Sequence, residues 1–341
     1  MTTSTITQSK VTNAGTPRRD APVFTIGCGR SGTTLLYHMV LSSGDFAVYR
    51  TESNAINLLE PRFGNLANRK NRERLMRAWL DSKLFAVSGL DAREITDKVL
   101  ENCTNGGNFL RIVMEEIARK QGVRRWADCT PEHLLHLPRI KETIPDALIV
   151  HIIRDPRDVA LSTEKQGYIR PLPWDRTPRT NVAGLYWEWI VNRGRRDGRV
   201  LGQDYIEVHF EDLIANPQAV LSRIGEFIDH DLDYERIQQV GIGSVSDPNS
   251  SFTDKNGKSF SPVGRWREKF PSQDLIAFEA LIGETMEELG YQLATTDRSQ
   301  LDRPDLRRMR AVYRAYYDAK LYLKAKTPAG PLFVTRDLSW L

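Results

Sequence analysis

A glycine-rich segment, residues 27–34 with the sequence GCGRSGTT, constrains the fold of this 341-residue chain more than any other feature. It lies between a short apolar run at 22–26, which predicts a buried strand, and a helix-like apolar pattern over 33–41. A tight turn from a strand into a helix directs several backbone N–H groups at one place, where the helix dipole also favours negative charge. Together with Arg30 and three hydroxyl side chains, this context predicts a phosphate cradle rather than a plain strand-to-helix connection.

The spacing of this segment differs from that of the phosphate-binding loop of nucleoside triphosphatases, G-x-x-x-x-G-K-[ST]. Thr34 occupies the Ser/Thr position, but Thr33 occupies the lysine position and the positive charge lies upstream at Arg30. A nucleoside triphosphatase also needs a strand-end carboxylate for magnesium, whereas the second apolar strand leads into Arg154. The segment is therefore predicted to hold a 5′-phosphate group whose transfer needs neither that lysine nor a metal.

Strand-like and helix-like segments alternate along the chain. The continuous apolar run at 147–153 suits a central parallel strand buried on both faces, and 205–210 alternates like a further strand. Helical patterns cover 219–228, 273–289 and most of 60–122. We therefore predict an α/β fold of the three-layer P-loop type, with a central, mostly parallel sheet flanked by helices.

A second candidate anion site follows the central strand. Arg154 leaves the strand end, where ligands bind in open α/β sheets, and Ser162 lies roughly two turns along the next helix. Arg154 and Ser162 can share an anion if the turn folds back. The alternative is that Arg154 pairs with Asp158 in an ordinary capping network, and the residues alone leave both open.

These two motifs together resemble those of the sulfotransferases that use 3′-phosphoadenosine 5′-phosphosulfate (PAPS). The sequence RSGTTL from Arg30 is similar to the 5′-phosphosulfate loop of that family, and Arg154 through Ser162 is similar to its 3′-phosphate motif. Further similar segments are TPEH at 130–133, FEDL at 210–213 with Pro217, and GRWR at 264–267. The likeness covers about residues 22–292 and is closer to the Golgi-type and bacterial branch, which includes tyrosylprotein sulfotransferases.

The resemblance implies a fold related to P-loop kinases and a single transfer step from PAPS to a hydroxyl, leaving 3′,5′-ADP and requiring no metal. It implies that Arg30 faces the sulfuryl group and the bridging oxygen, and that Arg154 and Ser162 hold the 3′-phosphate. The residues that it places on the 5′-phosphosulfate are Ser31, Gly32, Thr33 and Thr34. It adds Arg265 and Ser251 as further cofactor contacts.

Glu52 is the candidate catalytic base, because the tyrosylprotein branch carries its catalytic glutamate in a similar segment, although the alignment needs one extra residue. The alternative is a surface or salt-bridge glutamate. His133 is a second candidate acid/base, with a helix N-terminal histidine hydrogen-bonded to backbone as the alternative. Many relatives have a lysine that assists the transition state where this chain has Cys129. Either Arg30 and Arg265 supply enough charge, or the catalyst is weaker.

The domain organisation follows from composition and from the extent of the resemblance. Residues 1–20 are expected to be a disordered leader because they bury little apolar surface. Residues 21–292 are expected to form the sulfotransferase domain, with 53–122 and 168–180 as acceptor-side insertions. Residues 293–341 are expected to form a basic helical extension.

Composition narrows the partners. The 48 Lys and Arg against 44 Asp and Glu give a net charge of +4, which does not predict a nucleic-acid partner. The apolar run at 148–153 is too short to span a membrane, and no secretory signal is recognised, so a cytoplasmic protein is expected. The resemblance implies a hydroxyl-bearing acceptor (a sugar, a phenol or tyrosine, or a small metabolite) as the partner, and a homodimer is left open. The rival functions are a P-loop kinase or nucleoside triphosphatase, and a non-catalytic nucleotide-binding relative.

Overall fold

The computed structural model describes residues 10–167, 169–240, 261–301 and 303–334. Its strands are β1 (Val23–Ile26), β2 (Ala127–Asp128), β3 (Leu148–Ile153) and β4 (Tyr205–His209). They form one four-stranded sheet in the order β2-β1-β3-β4, in which every neighbouring pair is parallel. The carboxyl ends of all four strands therefore meet at one edge of the sheet.

Helices fill most of the remaining described chain. The α-helices are α1 (Thr33–Ser42), α2 (Glu60–Phe63), α3 (Arg69–Leu80), α4 (Lys83–Ala86), α5 (Ala92–Asn102), α6 (Gly106–Gln121), α7 (Leu137–Thr143), α8 (Pro156–Gln166), α9 (Arg179–Arg199), α10 (Phe210–Ala215), α11 (Pro217–Ile228), α12 (Tyr234–Val240), α13 (Trp266–Lys269), α14 (Ser272–Glu288), α15 (Pro304–Lys326) and α16 (Gly330–Phe333). Short 3-10 helices cover Arg18–Asp20, Pro131–His136, Gly202–Asp204 and Arg298–Gln300, and a π-helix covers Ala55–Leu59.

Helices cover both faces of the sheet, as the α/β prediction requires. Along β3, Ile149 and Ile153 belong to the apolar core that includes residues of α9 and α14. Val150 and Ile152 belong to a second core with residues of α1 and α11. All six residues of β3 are buried, which explains why its sequence is a continuous apolar run rather than an alternating one. The predicted three-layer architecture of the P-loop type is confirmed.

The predicted strands agree with β1, β3 and β4 to within one residue at each end. Sequence patterns missed β2, because its two residues are too few to show any periodicity. Phe210, predicted as the end of a strand, begins α10 instead. Ser251, which the resemblance suggested as a cofactor contact, lies outside the described residues.

The described part of the N-terminal segment, residues 10–20, packs against the domain. The Arg18 guanidinium is buried and donates to the carbonyl oxygens of Phe227 at 2.8 Å and Gln203 at 2.6 Å. The backbone N–H of Asn13 donates to the Asp204 carboxylate. The expectation of a disordered leader is wrong for residues 10–20, because these polar contacts offset the entropy that ordering removes. Residues 1–9 lie outside the described residues.

The basic segment near the C-terminus forms α15, a helix of 23 residues. It packs against α9 and α14, and its buried side chains include Tyr313 and Tyr317. These aromatic side chains therefore anchor the extension to the rest of the domain, where Tyr317 packs against Tyr186 and Trp189 of α9. Among the helices in the described part of the chain, none is long and apolar enough to cross a membrane.

Two glycines of the 27–34 segment permit close approaches that a side chain would block. A Cβ on Gly27 would lie 2.3 Å from the carbonyl oxygen of Ile152, at the end of β3. A Cβ on Gly32 would lie 2.3 Å from the ring of Phe210, and Gly32 has a φ of 94°, which favours glycine. The segment therefore owes its contact with the neighbouring strand ends to these two glycines.

We predict that Gly32→Ala lowers the free energy of unfolding by about 2–4 kcal/mol, since it adds both a positive-φ strain and an overlap with Phe210. The change is measured from urea unfolding midpoints. Gly29→Ala is the matched control, because a Cβ there meets nothing within 4 Å. Its unfolding free energy should stay within about 0.5 kcal/mol of the wild type. Equal stabilities of the Gly32→Ala and Gly29→Ala variants would contradict the close approach.

Candidate active site

The 27–34 segment forms the tight turn that its sequence predicts. The Ser31 N–H donates to the carbonyl of Cys28 at 3.1 Å, and α1 begins directly after Gly32. Arg30 has a φ of 73°, an uncommon conformation for a residue with a side chain, and such conformations cluster at functional sites. The first N–H groups of α1 have no partner within the helix and point out of its N-terminus. The turn therefore combines oriented N–H donors with the Arg30 guanidinium.

Two observations fit this turn to a phosphate group. The Ser31 side chain is fully buried, and its Oγ has no hydrogen-bond partner among the described residues. A Cβ on the nearby Gly29 would meet no atom within 4 Å, which leaves space for a ligand there. Thr33 is buried at the start of α1, whereas Thr34 is exposed. A buried hydroxyl without a partner is costly unless a ligand satisfies it.

The structure brings Arg30, Arg154 and Ser162 together. Arg154 Nη1 donates to the carbonyl oxygen of Arg30 at 2.8 Å, and Arg30 Nε donates to Ser162 Oγ at 2.9 Å. The Arg154 guanidinium also donates to the carbonyl oxygen of Pro262 and lies over the ring of Phe210, 4.5 Å from its centre. Arg154 Nε has no hydrogen-bond partner in the described part of the chain. The two sequence motifs therefore form one site rather than two distant ones.

Asp158 does not act as a simple capping partner of Arg154. Its carboxylate attracts Arg154, but its hydrogen bonds come from the backbone N–H groups of Gly264 at 2.7 Å and Trp266 at 3.0 Å. Burial raises the pKa of Asp158, and the charge of Arg154 opposes that rise. The Asp158 carboxylate thus fastens the turn that carries Arg265 to α8.

The electrostatic field around Arg154 reflects several neighbouring cations. Burial lowers its pKa most, and the carboxylates of Asp158 and Glu211 oppose this effect. The positive charges of Arg265 and Arg30 lower the pKa of Arg154 further. Arg265 and Arg30 therefore lie close enough to repel Arg154, an arrangement that an anion would stabilise.

The other charged residues after β3 are structural. Arg157 donates to the Asp155 carboxylate at 2.7 and 3.0 Å and to Glu279 of α14 at 2.9 Å. Its guanidinium stacks over the ring of Trp266 at 3.5 Å. The Asp155 N–H in turn donates to Glu211 at 2.9 Å. These contacts hold the start of α8, and with it Arg154, against the segment that follows β4.

Glu52 lies beside Cys129, the residue that directly follows β2. Cys129 Sγ is 4.0 Å from the carbonyl oxygen of Thr51, and the Glu52 side chain is half-buried. Burial raises the pKa of the Cys129 thiol, and the negative charges of Asp128 and Glu52 raise it further. The thiol therefore stays neutral and supplies no positive charge where many relatives have lysine.

His133 is fully buried, and both of its ring nitrogens have partners. Its Nδ1 lies 2.8 Å from Asp128 Oδ1, and its Nε2 accepts from the backbone N–H of Ile56 at 3.3 Å. These partners fix the tautomer with the proton on Nδ1. This placement supports the alternative of a histidine hydrogen-bonded to backbone, rather than an acid/base that reaches substrate.

The sequence does not predict the polar cluster in which His133 takes part. It is centred on the buried Asp128 carboxylate and includes Ser53 and Thr130. Local spacing gives no signal for it, because Ser53 and Asp128 are 75 residues apart.

Of the two predicted acceptor-side segments, the loop at 168–180 is bonded to α15. The Tyr313 hydroxyl donates to Asp175 Oδ2 at 2.5 Å and accepts from the Leu172 N–H at 3.1 Å, so that α15 fastens the loop between α8 and α9. Trp187 and Trp189 of α9 are buried in the core, whereas Trp174 in the loop is 77% exposed.

No group of three or more His, Cys, Asp or Glu side chains in the described part of the chain could hold a metal ion. Comparison with curated proteins found no match. Among solved structures, the chain is similar to the sulfotransferase domain from the Synechococcus PCC 7002 olefin synthase, with 22% identity and a TM-score of 0.52. That match covers 80% of this chain and 95% of the other chain.

A second similar structure is the sulfotransferase domain from the curacin biosynthetic pathway, with 17% identity and a TM-score of 0.51. It covers 80% of this chain and 98% of that chain. At these identities the likeness concerns the fold. The model of the sulfotransferase family matches residues 22–234, more than half of the chain, and spans both the 27–34 turn and the segment from Arg154 to Ser162. The chain therefore belongs to the sulfotransferase family.

Proposed function

We propose that this sulfotransferase transfers the sulfuryl group of PAPS to a hydroxyl of an acceptor, which is a sugar, a phenol or tyrosine, or a small metabolite. The observation that carries the proposal is the hydrogen bond of 2.8 Å from Arg154 to the carbonyl oxygen of Arg30. It joins the ends of two adjacent strands, so that one ligand with two anionic groups can contact both. A nucleotide phosphorylated at both 3′ and 5′ has this chemistry.

Different residues would bind the two phosphate groups of such a nucleotide. Ser31, Thr33 and Thr34, with the backbone at Gly32, would hold the 5′-phosphosulfate through hydroxyl and N–H donors. Arg154 and Ser162 would hold the 3′-phosphate, and Arg265 lies near enough to add positive charge. Arg30 reaches Ser162, and this contact links the two halves of the site.

Sulfuryl transfer needs positive charge where the departing phosphate gains negative charge, and a base for the acceptor hydroxyl. PAPS supplies an activated sulfuryl group when it is bound. Arg30 is suited to the first task because an arginine side chain is positively charged and offers forked donors. We assign the second task to Glu52, whose carboxylate lies beside the neutral Cys129 thiol. The positive charge that Cys129 cannot supply would come from Arg30 and Arg265.

We predict that 3′,5′-ADP stabilises the protein against thermal unfolding, because a ligand bound only by the native state must do so. At a concentration of one hundred times Kd the gain is about 2.7 kcal/mol. Titrations with ATP, with and without magnesium, provide the comparison. A larger stabilisation by ATP with magnesium would favour the kinase or nucleoside triphosphatase alternative, and no stabilisation by 3′,5′-ADP would contradict the proposal.

We predict that replacing Arg154 and replacing Arg30 have different effects. Arg154→Ala should raise the Kd of 3′,5′-ADP about 10–100-fold, since it removes charge-assisted hydrogen bonds. Arg30→Ala should mainly lower turnover, by about 100-fold or more, since it removes charge stabilisation in the transition state.

The Kd is obtained from calorimetric titration with 3′,5′-ADP. Turnover is obtained from sulfate transfer to a panel of sugars, phenols, tyrosine peptides and lipids, detected by mass. The exposed Arg19→Ala is the control for loss of one positive charge. Wild-type affinity and turnover in both site variants would show that the assignments are wrong.

We predict that Tyr313→Phe raises the KM of the acceptor by about three- to tenfold, because it releases the loop that carries Asp175. The Kd of 3′,5′-ADP should not change, since the cofactor residues lie on other elements. Tyr322→Phe is the matched control, because Tyr322 lies on the same helix and is 61% exposed. Equal KM values for the two variants would exclude the loop and α15 from acceptor binding.

A further inference from the structure

Asp128, at the end of β2, is a buried carboxylate whose two oxygens each accept two hydrogen bonds. Oδ1 accepts from His133 Nδ1 at 2.8 Å and from the Thr130 N–H at 3.0 Å. Oδ2 accepts from the hydroxyl of Ser53 and from that of Thr130, the latter at 3.2 Å. Burial by itself raises the pKa of Asp128, but His133, Ser53 and Thr130 outweigh it, and the net effect lowers the pKa.

Two hydrogen-bond partners of Asp128 also bond to the backbone of the segment that follows Glu52. Thr130 Oγ1 accepts from the backbone N–H of Asn54 at 3.2 Å, and His133 Nε2 accepts from that of Ile56 at 3.3 Å. With the direct bond from Ser53, three points on residues 53–56 are tied to one carboxylate. Asn54 has a φ of 53°, in the left-handed region that asparagine adopts more readily than most residues, and its side-chain amide donates to the Glu52 carbonyl at 3.1 Å.

We propose that Asp128 is a positioning residue that acts through Ser53, Thr130 and His133 to hold Glu52 at the strand edge beside Cys129. The inference rests on the proposed role of Glu52 as the base. Glu52 lies between two contacts with the end of β2: the Thr51 carbonyl is 4.0 Å from Cys129 Sγ, and the Ser53 hydroxyl bonds to Asp128. A general base must be held close to its target geometry, because a displacement of about 1 Å can lower the rate about 100-fold.

Asp204 provides a matched control for the loss of a buried carboxylate. It is also fully buried, and it is bonded to Lys141, at 2.8 Å, and to the N–H of Asn13. It precedes β4 and therefore lies at the opposite edge of the sheet from the strand ends that carry the site. Replacing Asp204 should destabilise the protein without changing the contacts of the segment around Glu52.

The first experiment compares Asp128→Ala, Ser53→Ala and Asp204→Ala by hydrogen–deuterium exchange of peptides that cover residues 51–57. We expect the first two variants to exchange at least about tenfold faster than wild type in these peptides, whereas Asp204→Ala does not. Ser53→Ala keeps the comparison decisive if Asp128→Ala fails to fold. Unchanged exchange over 51–57 in Ser53→Ala and in folded Asp128→Ala would overturn the proposal.

The second experiment measures kcat, KM and the Kd of 3′,5′-ADP. We expect Asp128→Ala to lower kcat by about 100-fold with the Kd unchanged. Asp128→Asn should recover most of the rate, because the introduced amide could accept from His133 and the Thr130 N–H and donate to the two hydroxyls. A drop in kcat for Asp204→Ala equal to that of Asp128→Ala would reduce the effect to general destabilisation and overturn the proposal.

A double-variant comparison separates positioning from a second, independent function. If Asp128 acts through Glu52, Asp128→Ala combined with Glu52→Gln should be no slower than Glu52→Gln alone. Multiplied losses would overturn the proposal. A wild-type protein that binds no 3′,5′-ADP would instead contradict the proposed function, and the exchange experiment would still decide whether Asp128 anchors residues 51–57.

Discussion

The hydrogen bond from the Arg154 guanidinium to the carbonyl oxygen of Arg30 joins the two strand ends on which the site is built. Such a contact requires the backbone after β1 to approach the end of β3 more closely than a side chain would permit. Gly27 allows this approach against the Ile152 carbonyl, and Gly32 allows it against the ring of Phe210. The same ring lies under Arg154. The glycines thus have a packing role, and the candidate anion site depends on it.

Residues beyond the family match, which ends at 234, complete this site. Asp158 holds the backbone N–H groups of Gly264 and Trp266, and the Trp266 ring lies under Arg157. Arg157 in turn bonds to Glu279 of α14. Each of these charged groups is buried, and losing one partner would leave the other uncompensated. The C-terminal helices therefore fix the start of α8, although they contribute few of the proposed ligand contacts.

Local patterns predicted the parts of the molecule that are themselves local. The 27–34 turn, the buried run of β3 and the start of α1 could be read from the sequence, because glycine spacing and apolar periodicity decide them. The Asp128 cluster could not be predicted in this way, because it joins Ser53 to a two-residue strand far along the chain. The bond between His133 and Asp128 could not be predicted for the same reason, although the contact of His133 with backbone was one of the two alternatives that the sequence offered.

The strand order separates the charges that the proposed reaction needs. Two carboxylates, Asp128 and Glu52, lie at the end of β2, and the cations Arg154 and Arg265 lie near the end of β3. The 27–34 turn, at the end of β1, lies between them, because β1 is paired with both β2 and β3. A lysine in place of Cys129 would put a positive charge beside the two carboxylates. A neutral thiol avoids that pairing, so the acceptor hydroxyl would lose its proton on the β2 side while the departing phosphate gains charge on the β3 side. The positive charge that the departing phosphate needs would therefore come from Arg30 in the turn and from Arg154 and Arg265 on its β3 side, rather than from position 129.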